Sequence, residues 1–405
     1  MSGVQDGIGL AERLRAVKPS PTIAITQLAN ELRRAGRDIV GLSQGEPDFD
    51  TPDHIRAAAK AAIDAGATRY TDVDGTPELK QAIVRKFQRE NGLTYEPGEI
   101  SVGTGGKQVI ANAFSATLDA GDEVIIPAPY WVSYPDMVRL AGGTPVTVAC
   151  GEAEGFKIGP AALEAAITPR TRWLVLNSPG NPTGSCYSAA ELKALAAVLL
   201  RHPQVAVLSD DIYEHVLYQS EGFATLAAIE PRLRERILVC NGVSKAYAMT
   251  GWRIGYAAGP KPLIRAMAML QSQSTTNPSS VSQAAAVAAL DGGLDFLRAR
   301  NAVFRERRDL CVEAFEAAGL PCRVPEGAFY LFPSCAGLIG RKRPDGRAIA
   351  SDVDVATFLL EEVGVAVVPG SAFGLAPFFR ISFATATERL RTACDRIASA
   401  CAVLR

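Results

Sequence analysis

Four side chains that can do chemistry follow short apolar runs of the chain. Asn181, Asp210, Tyr213 and Lys245 each come within a few residues of the end of such a run. Ligands bind outside the carboxyl ends of the strands in an open parallel sheet, so we expect these side chains at one sheet edge. Each has a simpler role when considered alone, because Asn forms turns, Asp caps helices and Lys is readily solvated. Their joint position favours a functional site.

The four groups suit a cofactor with an aldehyde on a pyridine ring. A lysine amine that burial keeps neutral can attack a carbonyl and form a Schiff base, which is the chemistry expected of Lys245. A carboxylate such as Asp210 stabilises a protonated pyridine nitrogen, and this makes pyridoxal phosphate an electron sink. Tyr213 and Asn181 could donate hydrogen bonds to the phenolate oxygen of the ring. The pattern therefore predicts pyridoxal phosphate as cofactor.

A glycine-rich segment, Gly103-Thr-Gly-Gly-Lys107, could hold the phosphate. It follows a predicted strand and opens a predicted helix, where backbone N–H groups face an anion. Gln108 stands where a nucleotide-binding P-loop needs Ser or Thr, and the glycine spacing of a dinucleotide site is absent. The segment therefore predicts a phosphate site without a nucleotide, with Arg253 as a second counter-charge.

Composition excludes several other classes of function. The 42 Lys and Arg balance 43 Asp and Glu to a net charge of −1, which argues against nucleic acid as a partner. The eight cysteines form no CxxC pair and the three histidines lie far apart, so no metal site is predicted. Residues 1–15 contain no apolar leader, and no apolar stretch is long enough for a bilayer. We expect a cytoplasmic protein with no membrane contact.

Helix signals alternate with short apolar runs over residues 51–300. Thr76-Pro77 is a helix start that Gly92 ends, and Ser188 with Glu191 forms a capping box. The runs between the helices, which are rich in Val, Ile and Leu, are residues 100–102, 123–127, 173–177, 205–209, 237–240 and 254–258. Runs of this kind are typical of strands buried on both faces. The pattern predicts an α/β fold with a mostly parallel sheet sandwiched by helices.

The pattern changes after about residue 300. A polar helix over 301–318 leads to short strands and then to a last helix over 388–403. We therefore predict three parts. Residues 1–50 form an N-terminal arm and part of a small domain, 51–300 form the large cofactor-binding domain, and 301–405 form a small C-terminal α+β domain.

From about Arg13 onward the chain resembles the fold-type I, class I aminotransferases that depend on pyridoxal phosphate. It is most similar to the bacterial subgroup of aspartate and prephenate aminotransferases. The matching motifs occur in order along the chain: Lys18-Pro-Ser20, Gly45-Glu-Pro-Asp-Phe-Asp50, Gly105-Gly-Lys-Gln108, Pro129-Tyr-Trp-Val-Ser-Tyr-Pro135, Asn181-Pro-Thr-Gly184, Ser209-Asp-Asp-Ile-Tyr213, Ser244-Lys-Ala-Tyr-Ala-Met-Thr-Gly-Trp-Arg-Ile-Gly255 and Phe379-Arg-Ile-Ser382.

The resemblance implies roles residue by residue. Lys245 binds the cofactor covalently and carries a proton between the substrate Cα and the cofactor. The other implied cofactor contacts are Asp210 at the pyridine nitrogen, Asn181 and Tyr213 at the phenolate oxygen, Trp131 on the ring face, and Gly105, Gly106, Lys107, Ser244 and Arg253 at the phosphate. Tyr70 matches the tyrosine that reaches the phosphate of a neighbouring subunit, which implies a homodimer with shared sites.

The resemblance also implies how amino acids and 2-oxo acids bind. Arg380 grips the α-carboxylate, because a planar guanidinium can do so bidentately. Gly45, Trp131 and Asn181 lie beside the substrate. Lys18 and Lys107 meet a distal carboxylate, which favours aspartate, glutamate, oxaloacetate and 2-oxoglutarate; prephenate, which also carries one, stays open. Gln44 stands where the subgroup often has a smaller residue.

Two other enzyme functions stay open at this point. The chain could be an aminotransferase for aromatic or neutral amino acids. A β-lyase of the same fold would keep Lys245, Asp210 and Arg380 but divert the carbanion. A DNA-binding sensor is not expected, because no basic helix-turn-helix segment precedes Arg13.

Overall fold

The computed structural model describes residues 8–17 and 21–405. Its strands are β1 (Val40–Gly41), β2 (Ile100–Gly103), β3 (Glu123–Ala128), β4 (Thr144–Ala149), β5 (Thr171–Asn177), β6 (Ala206–Asp210), β7 (Ile237–Gly242), β8 (Gly255–Ala258), β9 (Tyr330–Leu331), β10 (Val365–Ala366), β11 (Val368–Pro369) and β12 (Phe379–Ser382). Its helices are α1 (Pro21–Arg34), α2 (Asp53–Asp64), α3 (Pro77–Lys86), α4 (Gly106–Thr117), α5 (Tyr134–Leu140), α6 (Pro160–Ala166), α7 (Ala189–Leu199), α8 (Leu226–Ile229), α9 (Lys261–Ser272), α10 (Ser280–Asp291), α11 (Asp295–Ala317), α12 (Asp352–Val363) and α13 (Thr387–Ala402).

The large sheet of this described part has the strand order β2-β8-β7-β6-β5-β3-β4. β4, β3, β5, β6 and β7 run parallel, and β8 runs antiparallel to both of its neighbours. The predicted apolar runs all become strands of this sheet. β4 is not predicted, because its side chains at the sheet edge are all half-buried or exposed.

Successive residues of the central strands enter two different cores, which confirms the predicted sandwich. Ile125 and Leu174 pack on one face of the sheet against α3, α7 and α10. Val124 and Val175 pack on the other face against α4, α5 and α9. Each fully buried side chain of this kind contributes roughly 1.5–3 kcal/mol by leaving water.

The helix starts follow the capping signals of the sequence. The Thr76 side chain accepts a hydrogen bond from the amide of Leu79 at 3.3 Å, and Gly92 ends the following turn with a φ of 66°. Ser188 and Glu191 form the predicted capping box of α7. Within residues 8–17 and 21–405, none of the helices combines the length and apolar character that a membrane crossing needs.

A second core gathers β9, β12, α11, α12 and α13 around aromatic side chains. β1 pairs in parallel with β10, with Val40 opposite Val365, so this region recruits a strand from early in the chain. The amide of Ser382 also donates to the carbonyl of Leu42 at 2.8 Å. These contacts support, as a proposal, a small domain built from residues before 50 and after 300.

Candidate active site

A cavity of about 500 Å³ opens at the carboxyl ends of β5, β6 and β7. Its walls come from the large sheet and from segments before residue 50 and after residue 300, and they include Gln27 of α1. The predicted site residues that line it are Gly45, Gly106, Lys107, Trp131, Asn181, Asp210, Tyr213, Ser244, Lys245, Arg253 and Arg380. The structure therefore brings together groups that lie more than 300 residues apart in sequence.

Three predicted site residues are not in that wall. Gly105 lies directly behind it, at the start of α4. Tyr70 is 91% exposed and does not face the cavity of its own chain. Lys18 falls outside the described residues. The individual roles of all these residues stay predictions.

Lys245 follows β7 and is half-buried. Its Nζ donates a hydrogen bond to the carbonyl of Gly45 at 2.6 Å. Burial, reinforced by Arg380, lowers the pKa of Lys245 to about 8. A measurable fraction of this amine is therefore neutral near pH 7 to 8, which a nucleophile or a base needs.

Asp210 ends β6 and is buried. Burial raises the pKa of this carboxyl to about 6, and hydrogen bonds from the Tyr134 hydroxyl and the Ile212 amide, together with Lys245, limit the rise. The Tyr134 hydroxyl lies 2.5 Å from Asp210 Oδ2. The Tyr134 ring packs edge-on against Trp131 with ring centroids 5.2 Å apart. One side chain thus holds both the carboxylate and the aromatic plane predicted to contact a cofactor ring.

Arg380 is a buried cation without a carboxylate partner among the described residues. Its Nη1 donates to Asn181 Oδ1 at 2.9 Å and its Nη2 to the carbonyl of Ser43 at 2.5 Å. Its Nε is buried and has no hydrogen-bond partner there. An unpaired buried charge is costly, so the arrangement favours an anion as the missing partner.

The start of α4 presents a second anion site. Gly105 has a φ of 82°, and a Cβ at this position would lie 2.2 Å from Arg253 Nη2, so glycine is needed there. Arg253 and Lys107 form no ion pair within the described part of the chain. Lys107 Nζ lies 5.0 Å from the centre of the Trp131 ring, and burial together with Arg253 lowers its pKa.

A buried ionic cluster around Glu214 lies next to the ends of β6 and β7. Glu214 receives hydrogen bonds from Lys86, from Asn91 Nδ2 at 2.7 Å and from Asn241 Nδ2 at 2.7 Å. Glu214 is next to Tyr213 in sequence, and Asn241 is the penultimate residue of β7, four residues before Lys245. Although Glu214 and its neighbours offer metal-ligand atoms, the ammonium of Lys86 already supplies the cation.

Asp211, the neighbour of Asp210, predicts a pH dependence of stability. Its Oδ1 accepts a hydrogen bond from the Ser209 hydroxyl at 2.7 Å, and its Oδ2 is buried. Burial raises the pKa of Asp211 to about 7. An unfolded Asp ionises near pH 3.9, so the native state holds this proton longer and the stability contribution is lost between about pH 4 and pH 7.

We therefore expect Asp211→Asn to be relatively more stable at pH 8 than at pH 5. Between these two pH values the raised pKa of Asp211 corresponds to a change of up to about 2.5 kcal/mol in the free energy of unfolding. Urea denaturation of both proteins at the two pH values measures it, with the exposed Asp119→Asn as control. An Asp211→Asn effect that is equal at the two pH values would refute the assignment.

Sequence reasoning missed several cavity residues. Tyr134 lies inside a motif that was matched as a whole, without a role for this residue. Tyr330 is part of an apolar run typical of core, and only the pairing of β9 with β12 brings it near Arg380. The Ser43 carbonyl carries no signal in the sequence, because any residue offers a backbone oxygen.

Comparisons with known proteins agree with this geometry. Residues 37–397 match the family described as Aminotransferase class I and II. The chain is 62% identical over 396 residues to the aspartate/prephenate aminotransferase of Cereibacter sphaeroides, covering 98% of this chain and 99% of that protein. It is 57% identical to an aspartate aminotransferase of Rhizobium meliloti, with 98% and 97% covered.

Solved structures give the same result for the fold. A crystal structure of the aspartate aminotransferase from Rhizobium meliloti has a TM-score of 0.96 at 56% identity, covering 98% of this chain and 100% of that one. The Thermus thermophilus aspartate aminotransferase, solved with maleate, has a TM-score of 0.91 at 46% identity over 97% of this chain and 100% of that one. The predicted fold is confirmed, and the chain belongs to the class I and II aminotransferases.

Proposed function

We propose that this chain is a pyridoxal 5′-phosphate-dependent aminotransferase that moves an amino group between L-aspartate or L-glutamate and the 2-oxo acids oxaloacetate and 2-oxoglutarate. The names of the relatives in Cereibacter sphaeroides and Rhizobium meliloti support this activity. Prephenate is a further amino acceptor to be tested.

One observation carries the proposal: the cavity holds more cations than its own carboxylates can match. Lys107, Lys245, Arg253 and Arg380 line it, and none of the four forms an ion pair within residues 8–17 and 21–405. The cavity is thus poised for ligands that together bring several negative charges. A phosphorylated coenzyme and an amino acid with two carboxylates meet that requirement.

The residues present fit pyridoxal phosphate. The buried carboxylate of Asp210 suits a protonated ring nitrogen, and Trp131 supplies a flat face. The α4 start with Arg253 suits the phosphate, since backbone N–H groups and the helix dipole favour an anion there. We propose Tyr213 and Asn181 as hydrogen-bond donors to the ring oxygen. When bound, pyridoxal phosphate withdraws electrons from the substrate Cα so that this carbon can lose its proton.

The residues of the chain would divide the remaining work. Arg380 binds the α-carboxylate and so fixes the orientation of the substrate, with Nε as an unused donor. Lys245 Nζ then accepts the proton from Cα, because its lowered pKa leaves part of it neutral. Asp210 stays ionised near neutral pH, when its Tyr134 hydrogen bond is in place.

Selectivity for a dicarboxylic substrate would come from the side of the cavity near Trp131. Lys107 lies there without a carboxylate partner in the described part of the chain. The maleate bound in the Thermus thermophilus relative is a four-carbon dicarboxylate, which supports a second carboxylate site in this family. Lys18 stays a proposed partner of the same carboxylate.

We also propose a homodimer with shared sites. Tyr70 is almost fully exposed, which is unusual for a tyrosine and favours a contact outside its own chain. In the proposed dimer it reaches the phosphate of the coenzyme in the partner subunit. A cytoplasmic location and the absence of a nucleic-acid partner stay predictions from the sequence.

A panel of amino donors and 2-oxo acids, including prephenate, tests the proposed activity. We expect kcat/KM for aspartate with 2-oxoglutarate to exceed that for alanine or leucine by at least about 100-fold, since a buried charge pair contributes several kcal/mol. Lys107→Gln, assayed with saturating pyridoxal phosphate, should narrow the ratio of kcat/KM for aspartate to kcat/KM for alanine. Release of pyruvate and ammonia in place of amino transfer would identify a β-lyase. Equal activity on neutral and acidic donors would contradict the proposed specificity.

A further inference from the structure

Tyr330 is a fully buried tyrosine in the cavity wall, between the residues proposed for the coenzyme and those proposed for the substrate. Its hydroxyl lies 2.7 Å from the hydroxyl of Tyr213. Its ring lies under the guanidinium of Arg380, with the Arg380 Cζ 4.7 Å from the ring centroid. It therefore contacts one residue proposed for the coenzyme and one proposed for the substrate.

Tyr330 also contacts Gly45, the residue whose carbonyl accepts the hydrogen bond from Lys245. A Cβ at Gly45 would lie 2.0 Å from the Tyr330 hydroxyl, so the tyrosine rests directly against this glycine. The carbonyl of Gly45 accepts the hydrogen bond from Lys245 Nζ at 2.6 Å. Any larger residue at Gly45 would displace the Tyr330 hydroxyl or the segment that holds the Lys245 amine.

Strand pairing fixes this position. Tyr330 in β9 lies opposite Ser382 in β12, so Arg380, two residues away, is its diagonal neighbour on the same face. The Tyr213 ring packs edge-on against the Tyr330 ring, with centroids 5.7 Å apart. Full burial leaves the Tyr330 side chain little freedom to turn away from these neighbours.

We infer that Tyr330 is a positioning residue that contacts the Tyr213 hydroxyl, the Arg380 guanidinium and the Gly45 segment. These contacts fix the groups proposed to bind the coenzyme relative to the groups proposed to bind the substrate. This inference rests on the proposed function. The hydroxyl and the ring of Tyr330 do different parts of this work. The hydroxyl orients Tyr213, and the ring supports Arg380.

The proposed role of the Tyr330 hydroxyl can be tested by the absorbance of the bound coenzyme. A hydrogen bond from Tyr213 to the ring oxygen of the coenzyme favours the ionised form of that oxygen. Tyr213 has one hydroxyl hydrogen, so when it donates this hydrogen to the coenzyme, the Tyr330 hydroxyl is the donor in the bond between the two tyrosines. Hydrogen bonds in a chain strengthen one another, so the bond from Tyr330 strengthens the one that Tyr213 donates. Without it, the pH midpoint of the visible absorbance of the bound coenzyme should move upward.

The test compares the wild type with Tyr330→Phe, both loaded with pyridoxal phosphate. We expect the absorbance midpoint of the variant to rise by about 0.5 pH unit. We expect kcat for aspartate to fall about tenfold, because the reacting groups lose part of their alignment. The KM for aspartate should change less than about threefold, because phenylalanine keeps the ring beneath Arg380.

A second variant tests the ring. Tyr330→Leu removes the aromatic face as well, so KM should rise about tenfold in addition to the loss in kcat. If this variant does not fold, the midpoint and the kcat of Tyr330→Phe decide the question alone.

Tyr218→Phe is the matched control. Tyr218 is buried in the same core and its hydroxyl donates to the carbonyl of Ala328, but it does not line the cavity. The inference is overturned if the wild type is active and Tyr330→Phe has the same absorbance midpoint and kcat. It is also overturned if Tyr218→Phe changes the midpoint and kcat as much as Tyr330→Phe does. A wild type without amino-transfer activity would overturn the proposed function instead, and the inference with it.

Discussion

Replacing Lys245 with alanine is expected to lower kcat for amino transfer by at least about 10⁴-fold. The substitution removes the amine that the proposed mechanism uses as nucleophile and as base at the substrate Cα, and each of these roles is worth orders of magnitude in rate. A coupled assay of oxaloacetate formation from aspartate and 2-oxoglutarate measures the effect. Retained turnover would contradict the proposed role.

Two further measurements separate the chemistry of Lys245 from its contacts. Lys245→Arg keeps a cation near the carbonyl of Gly45, yet it should be as inactive as alanine, because guanidinium is not deprotonated in proteins. Methylamine added to Lys245→Ala can enter the space that the side chain leaves and should restore part of the activity in proportion to its concentration. If the amine has no effect on a variant that still binds pyridoxal phosphate, the result contradicts the role of Lys245 as the base.

The same variant tests whether the sites are shared between subunits. Lys245→Ala and Tyr70→Ala subunits are inactivated in different ways, and a mixed dimer contains one site with both residues intact. After subunit exchange, the mixture should be more active than the average of its two parents. A mixture that only reproduces that average would count against Tyr70 reaching the partner site.

Replacing Arg380 with leucine is expected to lower kcat/KM for aspartate and for 2-oxoglutarate by about 10² to 10³-fold. Loss of one partner of a buried charge pair typically costs about 2–5 kcal/mol of binding. Most of the change should be in KM, since the α-carboxylate is bound in the substrate as well as in the transition state. Arg380→Lys should be intermediate, because it keeps the charge and loses the bidentate geometry.

Arg253→Leu provides the comparison for Arg380. Both arginines line the cavity without an ion pair among the described residues, but Arg253 lies against Gly105 at the start of α4. We expect Arg253→Leu to weaken pyridoxal phosphate binding, measured by titration of absorbance, and to change KM for aspartate less than Arg380→Leu does. If the two variants exchange these effects, the proposed placement of coenzyme and substrate is wrong.

Much of the fold could be predicted from the sequence because its signals are local. The strand around Val207 is a short apolar run between polar turns, and Ser188 with Glu191 marks a helix start. β4 was beyond such reasoning, since an edge strand that is half exposed lacks the apolar run. The antiparallel direction of β8 also has no local signal, because strand direction depends on the path of the whole chain.

Some residues of the candidate site could likewise be predicted from the sequence, and others could not. Lys245 and Asp210 could be predicted because each follows a strand end, where topology gathers ligands. Tyr134 and Tyr330 could not, since a tyrosine in an apolar segment is usually core and its hydroxyl partner is set by packing. The unpaired state of Arg380 is likewise a property of the assembled core, because it depends on which carboxylates lie nearby.

The pairing of β1 with β10 has a consequence for synthesis on the ribosome. Residues 40 and 41 leave the ribosome more than 300 residues before their partners at 365 and 366, an interval on the order of 20 to 60 seconds at typical elongation rates. During that time β1 has no strand to pair with, while the segment between β1 and β10 can already collapse. Completion of the arginine-bearing half of the pocket is thus a late event in biogenesis.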